Sequence, residues 1–393
     1  MPDRSFLAWP FFDDSHRQLA DAISKWAKRE ISGEVSEAVD QQCREFLSSL
    51  ASGGWLRYVV PKQYGGATES LDARSVCLIR DALAYHSGLA EFSFAMQGLG
   101  SAPITLFGSE ELKRKYLPKV AAGEAIAAFA ISEAEAGSDL RAMQTTARRD
   151  GDHYVIDGKK NWISNAGIAD FYVTYCRFPE AGEKAFVALL VEASAQGIAV
   201  SERIEVIAPH VLGNVTFHEC RVPASALIGR EGDGLKIALG TLDIFRASVG
   251  AAALGFARRA LDEAVCFARE RRQFGQALSD FQITQAKFAD MAVVVDTSAL
   301  LVYRAAWTRD VLMQPVTREA AMAKLYATES AQRVIDEAVQ ILGARGVIAG
   351  SITERLYREI RALRIYEGAS EIQKLIIAGQ ILKAAAAGDE HAR

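Results

Sequence analysis

Hydrophobic and polar positions divide the chain into three zones that differ in period. From residue 1 to about 125, apolar residues recur at three- and four-residue spacing, as in DSHRQLADAISKWAKRE and SLDARSVCLIRDALAYHSG. This spacing is typical of amphipathic helices. Ser109 is followed by Glu110 and Glu111, the pattern of a helix N-cap with acids in the first turn. We therefore predict a helical N-terminal region.

The period changes at about residue 126. HYVIDG, DFYVTYCR, KAFVALLVEA and NVTFHECRVP are short, rich in β-branched and aromatic residues, and broken by Gly or Asp. They predict strands of an antiparallel sheet, and their spacing does not resemble alternating βαβ units. Helical periodicity returns at about residue 232 in four or five long segments, one of which is expected to begin after Pro315 and end at Gly343.

These zones predict an α+β fold. It would consist of an N-terminal helical domain (residues 1–126), a middle antiparallel β domain (127–232) and a C-terminal four-helix bundle (233–393). Alanine-rich runs such as ASVGAAALGFARRALDEA favour close helix packing in the last of these.

Charge, hydrophobicity and cysteine spacing argue against several classes of protein. The chain has 393 residues and a formal net charge of −4, with no basic patch, which argues against a nucleic-acid partner. MPDRSFLAWPFFDDS carries acids where a signal peptide needs positive charge, and no uninterrupted apolar run approaches the ~18 residues of a membrane span. The five cysteines form no CxxC pair, so we expect reduced thiols, a cytoplasmic location and no metal site.

The common nucleotide-binding and metalloprotease motifs are missing from the sequence. It contains no GxGxxG after a predicted strand, no GxxxxGK[ST] and no HExxH. A nucleotide cofactor, if the protein has one, is therefore not held in the Rossmann or P-loop manner.

Two stretches of the predicted β domain offer polar and aromatic groups to a ligand. AFAISEAEAGSDLRAM places Ser132, Gly137 and Ser138 in a predicted loop, where hydroxyls and backbone N–H groups can hold an anion or a polar ring edge. GKKNWISNAGIADFY places Trp162 two residues before Ser164, where we expect a strand to begin, so that both would share one face beside a planar cofactor. An ordinary turn and a core tryptophan are the alternatives.

The stretch RIYEGASEIQ, residues 364–373, carries the most informative acid. Glu367 lies between Tyr366 and Gly368, just before an apolar helical run. The tyrosine could form an apolar wall, and the glycine would let a ligand approach the backbone. Residue pattern alone leaves open whether Glu367 is a surface charge or a base in an apolar pocket.

Seven blocks of the sequence together resemble a known family. ISEAEAGSD, NWISNAG, VPKQYGG, FGSEELKRKYLPKVAAGE, ARERRQFGQALSDFQ, QILGARGV and RIYEGASEIQ are similar to blocks of the acyl-CoA dehydrogenases, in the family's order. The resemblance extends from about residue 15 to residue 385. It implies non-covalently bound FAD, an acyl-CoA or carrier-bound acyl thioester as substrate, an electron-transferring flavoprotein as acceptor, a homotetramer, and a role in fatty acid or acyl-CoA metabolism.

The resemblance also implies a mechanism. Glu367 falls at the position of the catalytic base, which removes the α-proton of the acyl thioester while the β-hydride passes to flavin N5, giving a trans-2-enoyl-CoA. The thioester carbonyl is polarised by the backbone N–H of Glu367 and a ribityl hydroxyl. Some members carry the base at another position, and here that position is Phe245, which cannot accept a proton.

The family's binding residues can be carried over by position, some of them from a neighbouring subunit. The flavin ring contacts fall on Phe129, Ile131, Ser132, Trp162 and Ser164. The remaining cofactor contacts fall on Ser138, Arg271, Gln273, Phe274, Gln282, Gln340, Gly343, Ala344, Ala369 and Glu371. The substrate contacts fall on Ser138, Leu242, Asp243, Arg246, Tyr366 and Gly368. An Asp243–Arg246 ion pair is also expected as a structural feature.

Departures from the family pattern keep several alternatives open. Ala344 and Ala369 replace residues that are usual beside the cofactor, and the loop before NVTFHECRVP carries His210, which is either an ordinary loop residue or a contact to an unusual acyl group or carrier. The alternatives to an acyl-CoA dehydrogenase are a flavin monooxygenase or oxidase on the same fold, a dehydrogenase of a carrier-bound acyl group, and a non-catalytic nucleic-acid binder. Glu367 counts against an oxidase, and the acidic net charge counts against the nucleic-acid binder.

Overall fold

A computed structural model describes residues 3–31, 36, 38–182 and 185–391. The outermost residues of the predicted first and last domains therefore lie outside the described part. The chain forms two compact units. The first, which we call the helical unit, comprises Met1–Gly33, Ala73–Gly88 and Asp243–Arg393, and the second, the sheet unit, comprises Glu34–Asp72 and Leu89–Leu242. The division into three sequential domains stays a prediction.

Ten α-helices lie within the described residues. They are α1 (Asp14–Glu30), α2 (Val39–Ser52), α3 (Ala73–Ala84), α4 (Gly88–Phe107), α5 (Glu110–Ala122), α6 (Gly234–Glu270), α7 (Gln282–Asp310), α8 (Thr317–Leu342), α9 (Ile352–Leu363) and α10 (Ser370–His391). The predicted cap of α5 is confirmed, because the Ser109 side chain accepts a hydrogen bond from the Leu112 N–H at 3.2 Å. The predicted end of α8 is also confirmed, with Gly343 at φ 59°.

The helical unit depends on a direct approach of α3 and α6. A Cβ atom on Gly255 of α6 would lie 2.3 Å from the Asp81 carbonyl oxygen and 2.8 Å from the Ala84 Cβ of α3. Beside this contact, the Asp81 carboxylate accepts a hydrogen bond from the Tyr303 hydroxyl at 2.8 Å and lies 3.6 Å from Arg258 Nε. Helices α1 and α3 therefore belong to the same unit as the C-terminal helices.

The sheet unit contains one eight-stranded sheet. Its strands are β1 (Ala127–Ala130), β2 (Thr146–Asp150), β3 (His153–Ser164), β4 (Phe171–Arg177), β5 (Phe186–Glu192), β6 (Ile198–Arg203), β7 (Leu212–Pro223) and β8 (Leu227–Ile228). The order is β6-β7-β3-β2-β4-β5-β8, and β1 pairs with β4. The predicted antiparallel pairing is confirmed for β2–β3, β3–β7, β4–β5, β5–β8 and β6–β7, whereas β1 and β2 both run parallel to β4.

The expectation that a strand begins at Trp162 is wrong, because β3 ends two residues later at Ser164. Lys160 pairs with Val215 and Ile163 with Gly213, so β3 has one residue more than β7 across this step. Trp162 has φ 56°, and its N–H donates to Asn214 Oδ1 at 3.1 Å. A bulge of this kind interrupts the alternation of faces that the sequence argument assumed.

Helix α6 is the one described helix that is long and apolar enough to cross a membrane by length and composition. The mean hydropathy of its most apolar 18-residue window is 1.5, and 83% of that window is buried inside the protein. Core helices meet the same criteria of length and composition, so the burial of α6 marks it as a core helix.

Substituting Gly255→Ala should lower the free energy of unfolding, since its Cβ would overlap backbone atoms of α3. Overpacking of this kind costs about 1–3 kcal/mol. Gly240→Ala is the matched control on α6, because a Cβ there would meet Phe107 at an ordinary 3.4 Å. Alanine is the better helix former by ~1 kcal/mol, so this variant should be neutral or stabilised. Urea unfolding of both variants checks the prediction, and equal effects would contradict it.

Candidate active site

Glu367 lies in a tight turn between α9 and α10 whose backbone is left-handed at two consecutive residues. Glu367 has φ 53° and Gly368 has φ 95°. A positive φ is uncommon outside glycine, and such conformations are concentrated at functional sites. A Cβ at position 368 would also lie 2.5 Å from Gln373 Nε2, so the Gln373 side chain would have to shift. The backbone of this turn is therefore held in an unfavourable conformation by its surroundings.

Three side chains donate hydrogen bonds to the two carbonyl groups of this turn. Lys324 Nζ donates to the Gly368 oxygen at 2.8 Å, and Gln373 Nε2 donates to the same oxygen at 2.9 Å. The Glu367 oxygen accepts from Arg246 Nε and from Gln373 Nε2, both at 3.4 Å. Lys324 and Gln373 are fully buried, and Arg246 is 4% exposed. The donors come from α8, α10 and α6, so three helices fix the backbone that carries Glu367.

Arg246 is itself oriented by an ion pair within α6. Its Nη1 donates to Asp243 Oδ1 at 2.8 Å, and the other carboxylate oxygen accepts from Thr317 Oγ1 at 2.5 Å. The expected Asp243–Arg246 ion pair is therefore present. Because Arg246 is buried and Asp243 is only partly exposed, the pair is screened less than a surface pair. It directs the guanidinium toward the turn.

Two buried cations thus act on one turn. Burial lowers the pKa of Lys324 to about 8, although the charge of Glu367 opposes this change; the neighbouring Arg246 adds to it. Burial also lowers the pKa of Arg246, and the carboxylates of Asp243 and Glu367 act in the opposite direction. At neutral pH the ammonium still holds its proton, so the charges of both Lys324 and Arg246 interact with the Glu367 carboxylate.

In the sheet unit, the residues expected at the flavin ring begin at β1. Phe129 is buried, with its ring centroid 4.9 Å from that of Tyr175. The segment that follows is anchored by Lys160, whose buried ammonium donates to the Ile131 carbonyl at 3.1 Å and to Glu133 Oε1 at 2.8 Å. Burial alone would raise the pKa of the Glu133 carboxyl, but Lys160 and nearby hydrogen bonds lower it. A charged pair therefore fixes the backbone beside Ser132.

At the end of β3, Ser164 contacts a histidine. Its Oγ lies 3.0 Å from His210 Nε2, and the His210 ring lies against Phe92 with centroids 3.8 Å apart. Burial lowers the pKa of His210 to about 4, so the imidazole is neutral at pH 7. Trp162, two residues before Ser164, keeps 52% of its surface exposed. An exposed indole and a fixed hydroxyl are thus close in sequence at this strand end.

Most of the remaining expected cofactor residues of the helical unit lie on its surface, whereas Ala369, which follows Gly368, is half-buried. Arg272–Gln273 and Gln276–Ala277 form a two-stranded hairpin, β9–β10, with Phe274 at its tip. Phe274 is 93% exposed and has φ 49°. The other surface positions are Arg271, Gln282, Gln340, Gly343, Ala344 and Glu371, and Ser138 is exposed in the sheet unit. None of these surface residues lies within the network that holds the Glu367 turn, as far as the described residues show.

Comparison with known proteins identifies the family. The chain matches the N-terminal, middle and C-terminal domains of acyl-CoA dehydrogenases over residues 13–124, 128–220 and 232–382. The chain belongs to the acyl-CoA dehydrogenase family. It is 35% identical over 385 residues to the probable acyl-CoA dehydrogenase FadE25 of Mycobacterium tuberculosis, covering 95% of this chain and 98% of that protein.

Two further relatives add chemical context. The caffeyl-CoA reductase-Etf complex subunit CarC of Acetobacterium woodii is 32% identical over 385 residues, covering 95% of this chain and all of that protein. The structure of an acyl-CoA dehydrogenase complexed with FAD from Bacillus anthracis superposes with a TM-score of 0.89 at 31% identity, covering 99% of this chain and 72% of that one. This acyl-CoA dehydrogenase is thus an oxidoreductase with FAD as its cofactor.

The side chains of this acyl-CoA dehydrogenase suit FAD chemically. The exposed Trp162 indole offers a flat apolar surface, and Ser132 and Ser164 offer hydroxyl groups to a polar ring edge. The exposed Arg271 and Gln273 offer donors of the kind that bind phosphate. The individual contacts to FAD stay predictions.

Of the expected site residues, the structure brings Asp243, Arg246, Glu367 and Gly368 together. Sequence reasoning missed Lys324, Gln373 and Thr317, which complete the network. One signal for Lys324 was present in the sequence. It lies within the buried stripe of α8 formed at three- and four-residue spacing by Ala320, Lys324, Ala327, Ala331 and Val334.

The His210 contact gives a prediction on pH. The unfolded chain binds a proton at this histidine below about pH 6.5, whereas the folded protein resists it down to about pH 4. The free energy of unfolding should therefore fall as the pH drops from 6.5 to 4, by up to about 1.4 kcal/mol per pH unit from this group. His210→Gln should show a shallower fall in urea unfolding than the wild type. His218→Gln, which removes a solvent-exposed ring, is the control, and an identical slope in H210Q and wild type would contradict the assignment.

Proposed function

We propose that this protein catalyses the α,β-dehydrogenation of an acyl thioester, acyl-CoA to trans-2-enoyl-CoA, with Glu367 as the base. The observation that carries the proposal is the left-handed turn at Glu367, held by Arg246, Lys324 and Gln373. A carboxylate that must reach an α-carbon has to be fixed in direction, and here its backbone is fixed from three helices. The family membership supports the same chemistry.

In this mechanism the residues of the chain handle one proton and the orientation of the thioester. The Glu367 carboxylate takes the α-proton as the double bond forms. Its backbone N–H polarises the thioester carbonyl, so that negative charge developing on oxygen is stabilised. FAD supplies the acceptor for the hydride that leaves the β-carbon. Tyr366 and Leu242 are proposed to contact the acyl or pantetheine part, together with Asp243, Arg246 and Gly368.

The proposed reaction implies two partners, a thioester carrier and an electron acceptor. We infer CoA as the thioester carrier and an electron-transferring flavoprotein as the electron acceptor. The second inference is supported by the related CarC, which is named as a subunit of a complex with Etf. A cytoplasmic location stays a prediction.

A homotetramer, which the family resemblance implies, is proposed, and the apolar residues that the helical unit exposes in rows support association of copies. Leu375 and Leu382 on α10 are 69% and 71% exposed, and Val293 and Leu300 on α7 are 65% and 46% exposed. Members of each pair are seven residues apart, two helical turns along one face. Large exposed apolar patches mark interaction sites. Phe274, at the hairpin tip, adds a further exposed ring.

The proposed reaction is tested by the visible spectrum of the purified holoprotein under anaerobic conditions as acyl-CoAs of different chain length and branching are added. Loss of the yellow flavin absorbance with one class of acyl-CoA supports the proposal and identifies the substrate class. If the flavin is bleached by an acyl group attached to a carrier protein but by no acyl-CoA, the substrate is a carrier-bound thioester. A yellow protein that no thioester bleaches would overturn dehydrogenation in favour of oxygen chemistry.

Glu367→Gln should retain FAD and the fold but lose the rate of flavin reduction by roughly 10²–10⁴-fold, the usual contribution of a positioned base. The matched control is Glu337→Gln, a glutamate of α8 whose carboxylate bonds Lys287. Stopped-flow absorbance with the best substrate measures both variants. Wild-type rates in E367Q would place the base elsewhere.

The oligomer prediction uses the α10 row. The wild type should sediment at four times the 42.7 kDa chain mass. The double variant Leu375→Asp, Leu382→Asp should dissociate into smaller species, because a buried unpaired charge is costly at an interface. Lys374→Gln, Lys383→Gln on the same helix makes the same change in net charge and is the control. Sedimentation equilibrium decides, and a monomeric wild type would rule out the assembly.

A further inference from the structure

Lys324 is the least expected member of the network around Glu367. Its side chain is fully buried in the apolar stripe of α8, and its ammonium donates to the Gly368 carbonyl at 2.8 Å. Burying an ammonium carries a desolvation cost of several kcal/mol that hydrogen bonds and charge partners must offset. A lysine at this position therefore needs an explanation beyond packing.

Hydrogen bonding alone does not explain it. The Gly368 oxygen already accepts from Gln373 Nε2 at 2.9 Å, so this carbonyl would remain satisfied without Lys324. An apolar side chain of similar length would fill the same space without the desolvation cost. What only the lysine adds is a positive charge directly behind the turn.

We propose that Lys324 is a positioning residue for Glu367, which fixes the Gly368 carbonyl through its ammonium and stabilises the ionised carboxylate of the base through its charge. Whether Glu367 is the base rests on the proposed function above. The location and the charge of Lys324 are independent of that proposed function.

The charged groups around Lys324 support this assignment. They are Glu367 in the turn, Arg246 on α6, Glu329 on α8 and Glu371 on α10, and of these Glu367 acts most strongly. Glu329 is bound by Arg364 at 2.7 Å and by the Ser370 hydroxyl at 2.5 Å, and Glu371 is exposed to solvent. The attraction between Lys324 and Glu367 is reciprocal, so the ammonium favours the form of Glu367 that can accept a proton.

The first measurement follows the Glu367 carboxyl directly, without turnover. Infrared difference spectra of the FAD-loaded protein are recorded over a pH series, with Glu367→Gln used to assign the carboxyl band. In Lys324→Met and in Lys324→Gln the titration midpoint of this band should move to higher pH by about 1 pH unit, as expected when a nearby opposite charge is lost. Lys324→Gln keeps a polar side chain, so it separates the charge from the hydrogen bond.

The second measurement is the kinetics of flavin reduction. In K324M the rate constant at saturating acyl-CoA should fall about 10- to 100-fold with KM changed less than about threefold, since the base is displaced or protonated while substrate contacts remain. K324M should unfold within a few degrees of the wild type, because removing the buried ammonium relieves its desolvation cost while the loss of its attraction to Glu367 acts in the opposite direction. Thr328→Val, which alters a buried polar residue one turn away on α8, is the control for packing.

The outcomes separate the two proposals. An unchanged midpoint in both K324M and K324Q overturns the role of Lys324, and so does a rate loss that T328V reproduces together with a fall in unfolding temperature. If K324M fails to fold, the role of Lys324 is tested with K324Q alone, by the titration midpoint of the Glu367 carboxyl band. Full activity in E367Q would instead overturn Glu367 as the base, while the infrared comparison would still report whether Lys324 acts on its carboxyl.

Discussion

Two consecutive carbonyl oxygens, those of Glu367 and Gly368, join three helices of the helical unit. They face inward from a left-handed turn and accept from Arg246, Lys324 and Gln373. Buried carbonyls need donors, and these donors can reach them only if α6, α8 and α10 lie at fixed distances from the turn. The packing of these three helices therefore also determines the direction in which the Glu367 side chain leaves the turn.

The close packing elsewhere in the helical unit serves this requirement. The backbone contact at Gly255 leaves no room for a side chain between α3 and α6, and Arg246 lies on that same α6. A tightly packed interior transmits small displacements without absorbing them. The position of the guanidinium, and through it the turn, thus depends on contacts several helical turns away along α6. The alanine-rich composition of α6 makes such close contact possible.

Local sequence signals predicted much of this fold, and the failures have physical causes. Ser109 and Gly343 mark helix ends because capping is a property of a few adjacent residues. The prediction for Trp162 was wrong because the bulge arises from pairing with β7. The periodicity of β3 alone carries no information about that pairing. The membership of α1 and α3 in the helical unit depends on contacts between distant segments.

The site divides in the same way. Glu367, Asp243 and Arg246 were found by carrying over positions from the family that the sequence resembles, and the ion pair between the last two is present. Lys324 and Gln373 were missed because their importance arises only when α8 and α10 meet the turn. A charged residue inside an apolar helical stripe nevertheless indicates a buried interaction site, because the desolvation cost of burying the charge must be offset by a partner.

The bulge at Trp162 has a consequence for how this segment can vary. Because β3 carries one residue more than β7 between two paired positions, the bulge depends on the number of residues in this stretch. Replacing the indole by another side chain leaves that count intact. Deleting one residue would remove the bulge and let β3 pair with β7 without an extra residue, so the left-handed backbone that positions the indole would be lost. The length of this stretch, and not the identity of one side chain, therefore decides whether the bulge forms.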